Sequence, residues 1–167
     1  VDSNFKVLID DKINFRFLKK LGGIALNDVV YYTIYILFTL FDSKKIKILN
    51  SKIIKQNNLD IAGDIKTQNE RKIIFDLSWG FKSAYKNNIK IYGENGYIDV
   101  DFIFSKKIFQ KGEINIFKNI KKSIKIKKSN QINLAFKNML SSNKKKINKN
   151  FETSMKILNV IEKLKKK

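Results

Sequence analysis

Between residue 46 and about residue 127 the apolar positions of this chain alternate with polar ones, whereas before and after that stretch they recur at helical spacing. The runs IKILNSKII, DIAGDIKT, KIIFDLSWGF, NNIKIYG, YIDVDFIF, EINIF and KSIKIKK follow one another there, separated by Asn, Gly, Lys or Ser. Alternating or aromatic-rich runs of this length predict five to seven strands. No helical stretch divides them, so the strands are expected to pair antiparallel; parallel neighbours need crossover connections. Glu94-Asn95-Gly96 is the clearest hairpin signal, because Asn-Gly readily adopts the positive φ values of a type I′ turn.

The N-terminal part reads differently. NFKVLI at 4–9 predicts a strand and NFRFL at 14–18 an irregular approach segment, with Asp10 and Asp11 between them. After Gly22-Gly23 the run IALNDVVYYTIYILFTLF continues without a breaker to Asp42-Ser43, a length that favours a helix despite its β-branched residues. Its most apolar part, Val29 to Phe41, is 13 residues long, short of the roughly 20 that span a bilayer, and predicts a buried helix. Towards the C-terminus Ile132, Ala135, Phe136, Met139 and Leu140 recur at helical spacing after Ser129, the candidate cap. Phe151, Met155, Leu158, Ile161 and Leu164 repeat the pattern after Lys144–Lys146. Both stripes predict core faces. The fold class is α+β, an open, mainly antiparallel β-sheet with helices packed on one face, and residues 1–167 form a single domain without internal repeats or a Pro- or Gly-rich linker.

Composition narrows the partners. With 43% apolar and 12% aromatic residues the chain can close a core. Its formal charge of +20 raises nucleic acid and anionic membranes as partners, since basic surfaces attract both. Of the 35 basic residues, however, only Arg16 and Arg71 carry the bidentate fork that reads phosphates and guanine. The lysines read as solvated charge, so neither nucleic acid nor membrane is the expected partner. Cys and His are absent, which removes thiol nucleophiles, disulfides, thiolate or imidazole zinc sites and the imidazole base together. The opening Val-Asp-Ser-Asn shows no basic stretch leading into an apolar one, and the expected location is cytoplasmic.

No phosphate cradle, Walker loop, metal box or nucleophile elbow stands out. Gly93-Glu94-Asn95-Gly96 lacks the G-x-G-x-x-G spacing and lies between strands, and Gly22-Gly23 has no third glycine and no strand–helix–strand unit before it. What remains is the start of the long helix. Asp28 and Tyr32 stand four apart and share a helical face, with Asn27 and Tyr31 one position round. A carboxylate in an otherwise apolar helix is costly to bury unpaired, so it marks a cavity or a site. Its position is also compatible with a purely local role, Asp28 favouring the helix dipole while Tyr32 packs.

These residues carry a resemblance. NFRFLKKLGGIALNDVVYYTIYIL is similar to the signature that opens the C-terminal domain of the Gfo/Idh/MocA oxidoreductases, the family of glucose–fructose oxidoreductase and inositol dehydrogenase. There a glycine-rich turn leads into a helix reading roughly G-G-G-x-L-x-D-x-G-x-[H/Y], on which Leu21-Gly22-Gly23, Leu26, Asp28 and Tyr32 fall. NNIKIYGENGYIDVDFIFS resembles the family's strand–G-x-x-G–strand hairpin and LNVIEKL its closing helix, so the resemblance covers nearly the whole chain. Two positions depart from it. Val30 stands where the family has glycine, and Tyr32 where many members have histidine, which exchanges a proton near neutral pH more readily than a phenol.

The resemblance implies Asp28 and Tyr32 as the catalytic pair and Arg16, Asn27 and Tyr31 as substrate-binding residues, with Gly22, Gly23, Gly93 and Gly96 as structural turns. Arg16 would take a substrate phosphate or carboxylate, unless it is half of a surface ion pair. The substrate would be a sugar or nucleotide sugar. The cofactor, NAD or NADP, would be held by a nucleotide-binding domain outside these 167 residues, so the chain alone should not turn over substrate. Homo-oligomers would form through the open sheet face, and no metal is implied. Two readings of other kinds stay open: a basic module using segments 118–128 and 144–150 against nucleic acid or anionic lipid, and a noncatalytic scaffold.

Overall fold

The computed structural model describes residues 1–9, 14–22 and 24–166. Eight strands form one sheet: β1 (Asp2–Lys6), β2 (Ile46–Gln56), β3 (Leu59–Asn69), β4 (Ile74–Gly80), β5 (Lys86–Gly93), β6 (Gly96–Asp101), β7 (Gly112–Phe117) and β8 (Lys121–Ile126). The seven alternating runs are β2 to β8. The strand expected at 4–9 sits slightly earlier, at 2–6, and NFRFL forms a 3-10 turn at Phe15–Phe17, followed by another at Lys19–Leu21.

The order across the sheet is β2-β3-β4-β1-β5-β6-β7-β8. β1 is inserted in the middle, parallel to β4 and antiparallel to β5, and the remaining neighbours are antiparallel. The meander read from the sequence is therefore correct in direction but split at its centre.

Strand alternation sets the layers. In β4, Phe75, Leu77 and Trp79 are buried while Asp76 is exposed, and in β1 Ser3 and Phe5 are buried. Over this face lie α1 (Ala25–Asp28) and α2 (Val30–Thr39), against β3, β4 and β1, with α4 (Lys144–Lys165) packed on α2. The helix expected after Gly22 is thus two segments, but Val29 between them keeps helical dihedrals and the rod is nearly continuous. Ile34, Leu37, Trp79, Ile157 and Leu164 are fully buried where the layers meet, each contributing about 1.5–3 kcal/mol of apolar burial.

Several expectations are corrected. α3 (Gln131–Leu140) is capped by Asn130, whose side chain accepts the Ile132 and Asn133 amides; Ser129 is not the cap. The stripe on α3 is no core face, for none of its residues is buried and Leu140 is 81% exposed. In α4, Ile161 and Leu164 are buried as expected, but their partners inside are Ile157 and Val160, while Phe151, Met155 and Leu158 are exposed. At about 100° per residue those three positions are turned well away from the buried set.

The turns differ as well. The β5–β6 hairpin forms with Gly93 opposite Gly96, yet neither Glu94 nor Asn95 has positive φ, so the turn is not type I′. Gly96 has φ +141°, and a Cβ there would lie 1.9 Å from the Phe117 carbonyl oxygen; the close approach of β7 is what demands glycine. Paired positive φ values occur instead at Asn57 (50°) and Asn58 (59°), between the paired residues Gln56 and Leu59. Asparagine tolerates that conformation at both central positions of a type I′ turn.

The sheet face turned away from the helices is more polar than an apolar oligomer surface would be. It carries the ion pairs Lys66–Asp76 (3.7 Å) and Lys90–Asp99 (3.2 Å) beside a strip of Tyr92, Tyr97 and Phe117. No helix among the described residues is long and apolar enough to cross a membrane.

Candidate functional site

The site is built around the start of α1. Gly22 turns the chain with φ +75°, a conformation natural to glycine, and Ile24 enters the helix in extended conformation without a local side-chain cap. The cap comes from β3: Asp60 Oδ1 accepts the Leu26 amide at 2.9 Å. Asp60 is only 5% exposed, and its Oδ2 has no hydrogen-bond partner among the described residues. Burial raises its pKa above the ordinary value, against the lowering pull of the Leu26 and Ala25 amides and of Lys55 and Lys165. A cavity of about 580 Å³ adjoins it, lined by Ile24, Leu26, Ser51, Ile53, Lys55, Asn58, Asp60 and Lys165.

Asp60 went unnoticed in the sequence because of a register irregularity. Ile54 pairs with Ala62 but the next residue, Lys55, pairs with Asp60, leaving Ile61 extra. Such a bulge switches the phase of the strand, so Asp60 is buried although Gly63, Ile65, Thr67 and Asn69 continue the inward set at odd positions. The signal was an acidic residue at the end of an alternating run, which alone does not reveal a bulge.

Of the charged residues singled out from the sequence, Arg16 and Asp28 are brought together. The 3-10 turn at Phe15–Phe17 is capped by Asn14, whose Oδ1 accepts the Arg16 amide at 3.1 Å. From there the Arg16 guanidinium lies over the Phe15 ring, 4.7 Å from its centroid, and its Nε donates to Asp28 Oδ2. Both side chains are about one third exposed, at 32% and 33%; such a pair contributes less than about 1 kcal/mol to stability, yet it fixes where the carboxylate points.

Tyr32 follows one helical turn beyond Asp28 on the same flank. Its ring packs edge-on against Phe5 (5.0 Å) and Phe104 (6.1 Å) and remains 42% exposed. The other two candidates are engaged elsewhere. Asn27 Nδ2 donates to the Gly22 carbonyl at 3.2 Å, closing the turn, and the Tyr31 hydroxyl lies 3.2 Å from Ser154 Oγ on α4. Gly93 and Gly96 serve the β5–β6 hairpin, and Gly23 lies outside the described residues. Among the described residues no group of three or more acidic side chains is placed to hold a metal ion.

A dinucleotide pyrophosphate does not fit the Gly22 turn into α1. The Leu26 amide that a phosphate would need is already taken by the buried Asp60 carboxylate, whose charge would repel it.

No family model and no curated protein matches the sequence. Solved structures share its fold. KijD10, a 3-ketoreductase from Actinomadura kijaniata in complex with NADP and TDP-benzene, matches with a TM-score of 0.78 and 16% identity over 91% of this chain and 49% of that one. A single-site variant of the same enzyme, with the same two ligands, gives 0.81 and 15% over 95% and 51%. Aldose–aldose oxidoreductase from Caulobacter crescentus, complexed with glycerol, gives 0.62 and 13% over 78% and 39%. The chain therefore spans about half the length of the KijD10 structures, and at these identities what it shares with them is the fold.

Proposed function

We propose that this chain is the substrate-binding half of an NAD(P)-dependent oxidoreductase acting on a sugar or nucleotide sugar, of the kind found as the C-terminal domain in Gfo/Idh/MocA enzymes. The observation that carries the reading is the Arg16–Asp28 pair, held about one third exposed at the head of the α1–α2 rod with Tyr32 one turn further on. In this role Asp28 accepts a hydrogen bond from a substrate hydroxyl and draws off its proton as the carbon is oxidised, and the Tyr32 hydroxyl holds the same or the neighbouring oxygen. Arg16 keeps Asp28 oriented and turns its remaining N–H groups to the substrate.

The likeness to KijD10, whose structure contains NADP and a TDP compound, supports a nucleotide sugar and a nicotinamide cofactor. That cofactor would supply the hydride chemistry from a body that this chain does not provide, since the α1 turn is stoppered by Asp60. By itself the chain binds substrate without turning it over. A homo-oligomer would pair the sheet faces across the strip of Tyr92, Tyr97 and Phe117.

The test is a titration of the isotope-labelled chain with TDP-glucose, followed by amide chemical shifts. Shifts centred on Arg16, Asp28 and Tyr32, weakened by Asp28→Asn, are expected. Shifts confined to the lysines of β8 and the start of α4, and abolished by salt, would instead favour the basic binding module.

A further inference from the structure

The exposed flank of α2 does not end at Tyr32. Tyr35, one turn beyond Tyr31, is 43% exposed, and the two rings stack with centroids 6.0 Å apart and planes 27° from parallel. Tyr31 is steadied from behind by its hydroxyl contact with Ser154 and from the side by the Tyr32 ring, edge-on at 6.2 Å. Tyr31 is partly buried against the core, while Tyr35 is turned to the outside, because α2 buries Val30, Ile34 and Leu37 on its other flank. A lone exposed tyrosine needs no explanation. Two stacked ones, braced by a second helix and continuing the line of Asp28 and Tyr32, form a preset aromatic surface.

We propose that Tyr35, backed by Tyr31, is the stacking subsite for the base of a nucleoside diphosphate sugar whose sugar lies at Asp28 and Tyr32. The proposal rests on the reading of that pair as the sugar site. From Asp28 to Tyr35 the helix rises about 10 Å, the scale on which a diphosphate separates a sugar from its base. The intervening phosphates would bring negative charge to a chain whose net charge is +20. On the opposite sheet face Tyr97 lies flat against Phe117 at 4.3 Å and Lys121 covers Phe117 at 5.4 Å, while Tyr92 is 55% exposed. What sets Tyr35 apart is its place on α2 in line with Asp28 and Tyr32.

Isothermal titration of the full chain with TDP tests this, with tripolyphosphate as the control for simple attraction to lysine. TDP should bind more tightly than tripolyphosphate. Tyr35→Ala should weaken TDP roughly 5- to 150-fold, the range for losing one base–aromatic stack, and leave tripolyphosphate unchanged. Tyr35→Phe should retain TDP binding, because the ring and not the hydroxyl is used. Absence of TDP binding, equal affinity for TDP and tripolyphosphate, or an undiminished affinity in Tyr35→Ala overturns the proposal. The parent reading has a separate readout, the gain of TDP-glucose over TDP. If that gain survives Asp28→Asn while Tyr35→Ala still weakens TDP, the sugar site is wrong and the base subsite stands.

Discussion

Asp60 is the residue on which the start of the α1–α2 rod depends, and substitution there gives two outcomes of opposite sign. In Asp60→Ala the Leu26 amide, which Asp60 Oδ1 accepts at 2.9 Å in a buried setting, loses its partner beneath a helix that has no local cap. Leaving a buried donor unsatisfied costs about 1–3 kcal/mol, so the variant should unfold at correspondingly lower urea. Asp60→Asn keeps an acceptor at Oδ1 and removes the charge. Because burial raises the folded pKa of Asp60 above its ordinary 3.8, the folded protein holds the proton more tightly than the unfolded chain. The carboxyl group's contribution to stability is therefore greatest at or below 3.8 and falls as pH rises towards the folded pKa. Stability of Asp60→Asn relative to the parent should thus increase with pH across that window and then level off. Urea melts followed by the fluorescence of Trp79, the chain's one tryptophan and fully buried, measure both effects. A parent that gains on Asp60→Asn as pH rises, or an Asp60→Ala as stable as the parent at neutral pH, would refute the reasoning.

Two further outcomes follow from the same geometry. Gly96→Ala places a Cβ 1.9 Å from the Phe117 carbonyl at φ +141° and should cost about 1–3 kcal/mol in urea melts, whereas Gly93→Ala, whose Cβ finds its nearest neighbour at 3.7 Å, should be tolerated; equal effects would show that β7 is not what demands the glycine. Glu70 is held below the usual carboxylate range by its own amide and those of Lys45 and Lys44, so its contribution is present above 4.5, is lost as pH falls through the folded pKa, and should be missing from the acid limb of the Glu70→Gln stability profile.

Strands β3 and β4 were legible because they bury one face, and a period of two records that directly, while β2 and β6 to β8 keep the alternation in sequence with little or no full burial. The place of β1 was not, since its pairing joins Asp2 to Asp76, and no local pattern carries a contact of that span. The type I′ turn was assigned to the wrong hairpin. Asn57-Asn58 adopts it without any glycine, while Gly96 is needed for a close approach that only the folded sheet creates. Asp60 was hidden by a one-residue slip that turned it inward. The Arg16–Asp28 pair was half legible: both residues stood out singly, but the ion pair forms because Asn14 starts a 3-10 turn that brings Arg16 back over α1.

Apolar periodicity says which flank of a helix is covered and nothing about what covers it. On α4 the Ile157, Val160, Ile161 and Leu164 side is covered by this chain, while Phe151, Met155 and Leu158 form a second apolar flank that is left open, as is the stripe of α3. The α1–α2 rod obeys the same rule in a more informative way. Leu26, Val30, Thr33, Ile34 and Leu37 hold the buried phase, and Asp28, Tyr31, Tyr32 and Tyr35 all fall outside it, on one flank about 100° wide. In a helix this apolar few positions are left out of full burial, and these four lie together. The candidate site is therefore marked in the sequence by exclusion, as the polar and aromatic remainder once the core phase has been removed, and it needs neither histidine nor cysteine to be found.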